Sequence, residues 1–277
     1  MQLTPLMKQL TRAFYPILLW LAVAQLYSLP TATAQTINEE EQNLVTIYSK
    51  MDAFYNIGSD SLEYYSSVFT KRLTHLISQN PETISYPFPA LQKMGACDIV
   101  TAPDGKFRIY SWDSRLGGTM IFYKNYYQYK LGSKVFSTDL GTNEDGIGAV
   151  YTDLFQLNNS SKTYYLAISG GSVSTKDKYQ SIRIYTIDLK GLNTNTRLLK
   201  TPQGRWLNSI GIEYDFFSVV DRPERPLRLI KYDTVNKIIY IPIVFENGVV
   251  TDRYILYRFN GQYFEHILTQ KKHKKRK

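Results

Sequence analysis

The sequence predicts a mainly β fold in which antiparallel sheets follow a short N-terminal helical hairpin. From Ile37 to about Gln79 apolar residues recur at three- and four-residue spacing, the period of an amphipathic helix. Beyond Pro87 and Pro89, runs rich in Ile, Val, Tyr and Phe are separated by Asp-Gly and Asn-Gly pairs, whose glycines supply the positive φ of hairpin turns. The 23 tyrosines point the same way, because the ring packs on a half-buried pleated surface while the hydroxyl stays wet.

Residues 1–34 read as an export signal. Lys8 and Arg12 give the positive start, residues 13–29 the apolar stretch, and Ala32-Thr33-Ala34 a small-residue cleavage site before Gln35. A membrane anchor is the rival reading, since the apolar run approaches the roughly 20 residues a span requires. Pro16 and Gln25 interrupt that run, no basic stop-transfer cluster follows it, and a helix-breaking Pro30 leads into the processing signature. The expected product starts at Gln35, has no transmembrane span and works in the periplasm, at the outer membrane or outside the cell.

Residues 35–89 are expected to form the hairpin and a Pro-containing linker. Leu44, Ile47, Tyr48, Met51, Phe54 and Tyr55 make one stripe, with Glu39, Glu40 and Glu41 in the opening turn, where negative charge opposes the helix dipole. Gly58 ends that helix. Asp60 and Glu63 form a capping box for a second, whose Leu62, Tyr65, Phe69, Leu73 and Leu76 share a face up to Asn80-Pro81. Such stripes ordinarily pack on a core; a docking surface is the sharper alternative.

Residues 90–268 are expected to form the β domain. Asp104-Gly105, Asn247-Gly248 and Asn260-Gly261 mark two-residue turns, and Gly170-Gly171 is read as another. An internal echo runs through this half. Phe107–Asp113 matches residues 182–188 at Arg, Ile, Tyr and Asp, with weaker copies at 227–233 and 254–260. The middle interval of 45 residues suits a propeller blade of about 40–45 residues; the outer two do not. On these copies the half from Ala96 to His266 resembles a degenerate β-propeller. The whole chain resembles the uncharacterised exported proteins of Bacteroidota-type Gram-negative bacteria. A β-sandwich stays open, and the resemblance implies no activity.

Charge and cysteine narrow the function classes. Lys8 and Arg12 leave with the signal and six of the 33 basic residues stand in the last seven positions, so residues 35–270 hold 25 basic against 24 acidic. A near-neutral body lacks the electrostatic footprint of nucleic-acid binding. The single Cys97 excludes an intramolecular disulfide and reads as a small buried hydrophobe. The three histidines have no zinc-ligand spacing, Ser169-Gly170-Gly171-Ser172 lacks the nucleophile elbow, and residues 139–146 fail the EF-hand template. No metal and no cofactor is expected.

Two regions carry candidate chemistry. Glu213 and Asp215 fall on one face of an expected strand, the pairing used in glycoside hydrolysis, and Asp221, Arg222, Glu224 and Arg225 follow in a loop stiffened by two Arg-Pro steps. Residues 269–277 are expected to form a disordered polybasic tail, whose Lys271, Lys272, Lys274, Lys275, Arg276 and Lys277 suit an anionic surface. The preferred reading is an exported non-catalytic module binding an envelope protein or glycan. A secreted hydrolase of glycan or peptide, using the carboxylate pair, is the alternative.

Overall fold

The computed structural model describes residues 29–57, 60–140 and 148–271, with side chains described from residue 37 to residue 267. Its first helix, α1 (Leu29–Ile57), begins before the Ile37 that periodicity indicates. Pro30 falls in the first turn, where a missing N–H forfeits no intrahelical bond, so the expected breaker opens a helix instead. α1 thus runs through the expected processing site; residues 1–28 of the export signal lie outside the described residues.

This earlier start moves the glutamates out of the opening turn. Glu40 reaches across to Arg72 of α2 (Ser61–Gln79) at 3.0 Å. Glu41 is fully buried and accepts hydrogen bonds from the Tyr86 hydroxyl (2.9 Å) and the backbone N–H groups of Ala90 (2.7 Å) and Leu91 (3.0 Å). Those amides open the short helix α3 (Pro89–Lys93), which begins at the last residue of the expected linker and occupies the start of the expected β domain. The capping box is not formed either: Asp60 already has helical φ of −58° and its side chain caps nothing, because an N-cap bond needs an extended backbone there. The expected stripes hold over most of their length, with Leu44, Ile47, Tyr48 and Met51 packing with Phe69, Leu73 and Leu76, but Tyr55, expected on the first stripe, is exposed.

After α3 the chain is mainly β, in three sheets whose pairings are antiparallel except one. The first is a meander of β1 (Asp98–Thr101), β2 (Phe107–Asp113), β3 (Tyr123–Leu131) and β4 (Lys134–Thr138). β5 (Val150–Asn158), β6 (Thr163–Ser172), β7 (Asp177–Asp188) and β8 (Gly191–Asn193) build the second. β9 (Leu199–Lys200) and β10 (Trp206–Leu207) leave for the third, and β11 (Ser209–Asp215) returns to pair with β7. β12 (Lys231–Asp233), β13 (Ile238–Val244), β14 (Val250–Phe259) and β15 (Phe264–Lys271) complete the third, with β15 and β9 parallel. Among the described residues no helix is long and apolar enough to cross a membrane.

The layers follow from strand parity, since successive side chains leave opposite faces. On β2, Tyr110 and Trp112 face the helices, while Phe107 and Ile109 face Tyr165, Ala167 and Tyr185 of the second sheet. On that sheet Leu166, Ile168, Ile182 and Ile184 turn the other way, onto Ile230, Ile239, Tyr257 and Phe264 of the third. Helices, first sheet, second sheet and third sheet therefore stack in that order. Burial on both faces is why large apolar side chains stand at adjacent positions in β2, β6 and β7 instead of alternating strictly with polar ones.

The internal echo acquires a meaning here. β2, β7 and β14 each carry one copy, one strand per sheet. Ile109, Ile184 and Leu256 occupy equivalent places and all face forward along the stack; Tyr110, Tyr185 and Tyr257, one residue later, all face back. In the copy at 227–233, Ile230 and Tyr232 likewise face back onto the second sheet.

Two polar devices join the layers. Arg108, buried in the first sheet, donates from Nε to Thr101 Oγ1 (2.7 Å) and from Nη1 to the carbonyls of Thr83 (2.6 Å) and Tyr86 (2.5 Å), tying the helical end to β1 and β2. Between the first two sheets the hydroxyls of Tyr127, Tyr151 and Tyr185 form a chain with O···O separations of 3.1 and 2.8 Å. Cys97 is buried, as expected, and burial pushes its thiol well above the usual range.

Turn chemistry is partly as read. Gly105, Gly248 and Gly261 have positive φ in the β1–β2, β13–β14 and β14–β15 connections. The first two loops are longer than two residues, closing as Ala102 N–H to Phe107 O and Phe245 N–H to Val249 O. Gly170-Gly171 is not a turn: both residues lie inside β6. A Cβ on Gly170 would stand 2.8 Å from the Tyr179 carbonyl oxygen, and one on Gly171 would enter the Tyr179 ring, so these glycines admit close approach of β7.

Candidate functional site

The carboxylates nominated by the sequence lie at the end of the second sheet where β11 finishes. Glu213 stands opposite Tyr179 and Asp215 opposite Asp177 in the β11–β7 ladder, on one strand face as expected. Glu213 is exposed and forms no ion pair among the described residues. Asp215 is spent on structure: its Oδ1 accepts from Phe217 N–H (2.9 Å), capping the 3-10 turn Phe216–Val219, and Oδ2 lies 3.8 Å from Lys176 Nζ.

The following loop is stiff for a different reason than its prolines alone. Arg225 folds back and donates to the carbonyls of Arg222 (2.6 Å), Glu224 (2.8 Å) and Val220 (2.9 Å). Its far end is held by the buried amide of Gln180, which donates to Leu227 O (2.6 Å) and accepts from Leu229 N–H (3.0 Å) and Ile230 N–H (3.2 Å). Asp221 is exposed, and neither it nor Glu224 forms an ion pair among the described residues. The structure thus brings the pair and the loop to one end of the molecule with their hydrogen-bonding groups turned inward or to open solvent.

A serine and a lysine also meet nearby. Lys178 Nζ donates to Ser172 Oγ, and burial lowers the lysine's pKa. Ser172 is itself buried, and its hydroxyl already lies 2.9 Å from Thr119 O and 3.0 Å from Ser174 O. A nucleophile must be reachable by its substrate; this hydroxyl is packed among carbonyls.

The tail is only partly described. β15 continues to Lys271, which stands opposite Arg253, so this residue belongs to the sheet rather than to the tail. Lys272, Lys274, Lys275, Arg276 and Lys277 lie outside the described residues, as do residues 141–146 of the polar loop 139–146 tested against the EF-hand template. Among the described residues no group of three or more metal-ligating side chains is close enough to hold an ion.

A cleft of about 500 Å³ opens at the opposite end of the sheets. Its rim is basic: Lys106 precedes β2, Lys130 ends β3, Lys162 sits in the β5–β6 turn and Arg197 leads into β9. None of these four forms an ion pair among the described residues. The one acidic lining residue, Asp188, accepts from Lys190 N–H (2.8 Å) and Asn193 Nδ2 (3.3 Å).

Local bonding fixes the cleft walls. Lys130 N–H donates to Lys106 O (2.8 Å), holding the first two cations side by side. Asn159 Oδ1 accepts from the backbone of Ser161 (3.0 Å) and Lys162 (2.8 Å), a turn that Asn forms with its own following amides. Thr186 and Thr196 share a hydroxyl contact of 2.9 Å across the third wall. The floor contains Tyr164 and Tyr165, both buried; the Tyr165 hydroxyl donates to Asp104 (2.9 Å), and burial raises its pKa far above the ordinary value.

Sequence reasoning missed this cleft. Its cations are scattered over four segments, each unremarkable alone, and a near-neutral average over residues 35–270 hides a local excess. No protein-family model matches the chain, and no curated protein is significantly similar to it.

Proposed function

We propose that this chain is an exported, non-catalytic binding module of the cell envelope, and that the basic cleft is its ligand-contacting surface. The supporting observation is the contrast between the two ends. Four cations that form no ion pair among the described residues line one concavity of ligand size, whereas Asp215 is engaged as a cap and Glu213 faces solvent. A glycosidase needs two carboxyl groups flanking a bound sugar. The hydrolase alternative draws little support from that arrangement. Export rests on the sequence of residues 1–34, and the tail beyond Lys271 adds basic charge suited to an anionic surface.

Retention on isolated envelopes tests the reading. The chain from Gln35 should bind envelope fractions in a salt-sensitive way and lose most of that retention when Lys106, Lys130, Lys162 and Arg197 are all changed to Gln. Glu213→Gln with Asp215→Asn should leave it unchanged. The opposite pattern would favour chemistry at the β11 end.

A further inference from the structure

The geometry points to a ligand class for the cleft: we propose that it binds a short acidic oligosaccharide, an inference that rests on the cleft being the binding surface. Charge is the first requirement. Lys106 and Lys130 stand side by side, and Lys162 and Arg197 line the same cleft from two further segments, which suits a ligand carrying more than one anionic group. Asp188, the one acidic lining residue, offsets a single charge and leaves the lining with a net excess of positive charge.

The rest of the lining is what a polyol needs. Ser161, Thr163 and Thr196, none of them buried, offer hydroxyls that both donate and accept, matching sugar hydroxyls that do the same, while Thr186 and Asn193 are bonded to Thr196 and Asp188 and shape the wall. Leu131 and Ile187, both half-buried, supply small apolar patches for the C–H faces of a ring. The volume of about 500 Å³ lies in the range of small-ligand sites. Single-stranded nucleic acid is a poorer fit, because it is gripped by stacking on exposed aromatic rings, and the cleft's Tyr164 and Tyr165 are buried. A protein partner needs a broad surface rather than a concavity of this size.

Calorimetry on the chain from Gln35 tests this with defined probes: tetragalacturonate, maltotetraose, inorganic sulfate and an oligothymidylate. The acidic tetrasaccharide should bind, weaken as salt rises, and lose at least tenfold in affinity in Lys106→Gln/Lys130→Gln and again in Lys162→Gln/Arg197→Gln, with unchanged thermal unfolding. Maltotetraose should not bind. Equal affinity for maltotetraose, undiminished binding in either double variant, tighter binding of the oligothymidylate, or sulfate matching the tetrasaccharide would each overturn the proposal. So would failure of the tetragalacturonate to bind. If envelope retention still requires the four cations in that last case, the ligand class fails while the binding-module reading stands.

Discussion

At the scale of single residues, the interior relies on polar side chains that are fully engaged. Glu41 caps α3 from inside the core, Arg108 clamps the helical end to the first sheet, and Gln180 holds the chain at residues 227–230. None of these roles is visible in local sequence, because each joins segments far apart; Glu41 looked like a helix-opening charge. Burial of tyrosines has a consequence for pH. Desolvation raises Tyr127 and Tyr185 well above their ordinary range and pushes Tyr123, Tyr179 and Tyr232 up to about 12. The unfolded tyrosine titrates at about 10. Below about pH 10 both states keep their protons and the contribution is complete; above it the unfolded chain releases protons the native state retains, so stability falls as pH rises towards the folded values. Urea unfolding midpoints should be flat up to about pH 9 and decline above about pH 10, with a smaller decline in Tyr185→Phe. A midpoint unchanged through the alkaline range would show that these hydroxyls ionise in place.

At the scale of elements, periodicity and turn residues were legible where one element dictates its own pattern. The two amphipathic stripes, the Asn-Gly and Asp-Gly connections and the placement of Glu213 and Asp215 on one strand all follow from spacing. What failed depended on neighbours. Gly170-Gly171 has the composition of a turn but sits in mid-strand because β7 passes too close for a Cβ, and Pro30 opens α1 because a breaker is harmless in a first turn. The glycine reading makes a prediction for its element. Gly170→Ala places a methyl 2.8 Å from the Tyr179 carbonyl oxygen and 3.2 Å from Gln180 Cγ, and a carbonyl in a strand cannot yield as a side-chain tip can. The variant should lose about 1–3 kcal/mol in urea unfolding, the usual cost of overpacking. An unaltered midpoint would mean that β6 and β7 separate freely.

At the scale of the whole molecule, the layers give the chain two ends with different characters. Strands buried on both faces consume the apolar residues of β2, β6 and β7 in the stack, which leaves loops at the ends of the sheets to meet other molecules. At the end with Glu213, Asp215 and the loop 221–226, Asp215 and Arg225 bond to their own loop while Glu213 and Asp221 face open solvent, and the opposite end presents Lys106, Lys130, Lys162 and Arg197 around an open cleft. The mainly β class was legible because periods and turns are local. The cleft was not, because convergence of four distant cations is a property of the stack. Backbone amide shifts on addition of envelope polysaccharide would test this division most directly. The account predicts saturable changes at Lys106, Lys130, Lys162 and Arg197 with residues 213–225 unmoved; changes confined to residues 213–225, with the cleft silent, would contradict it.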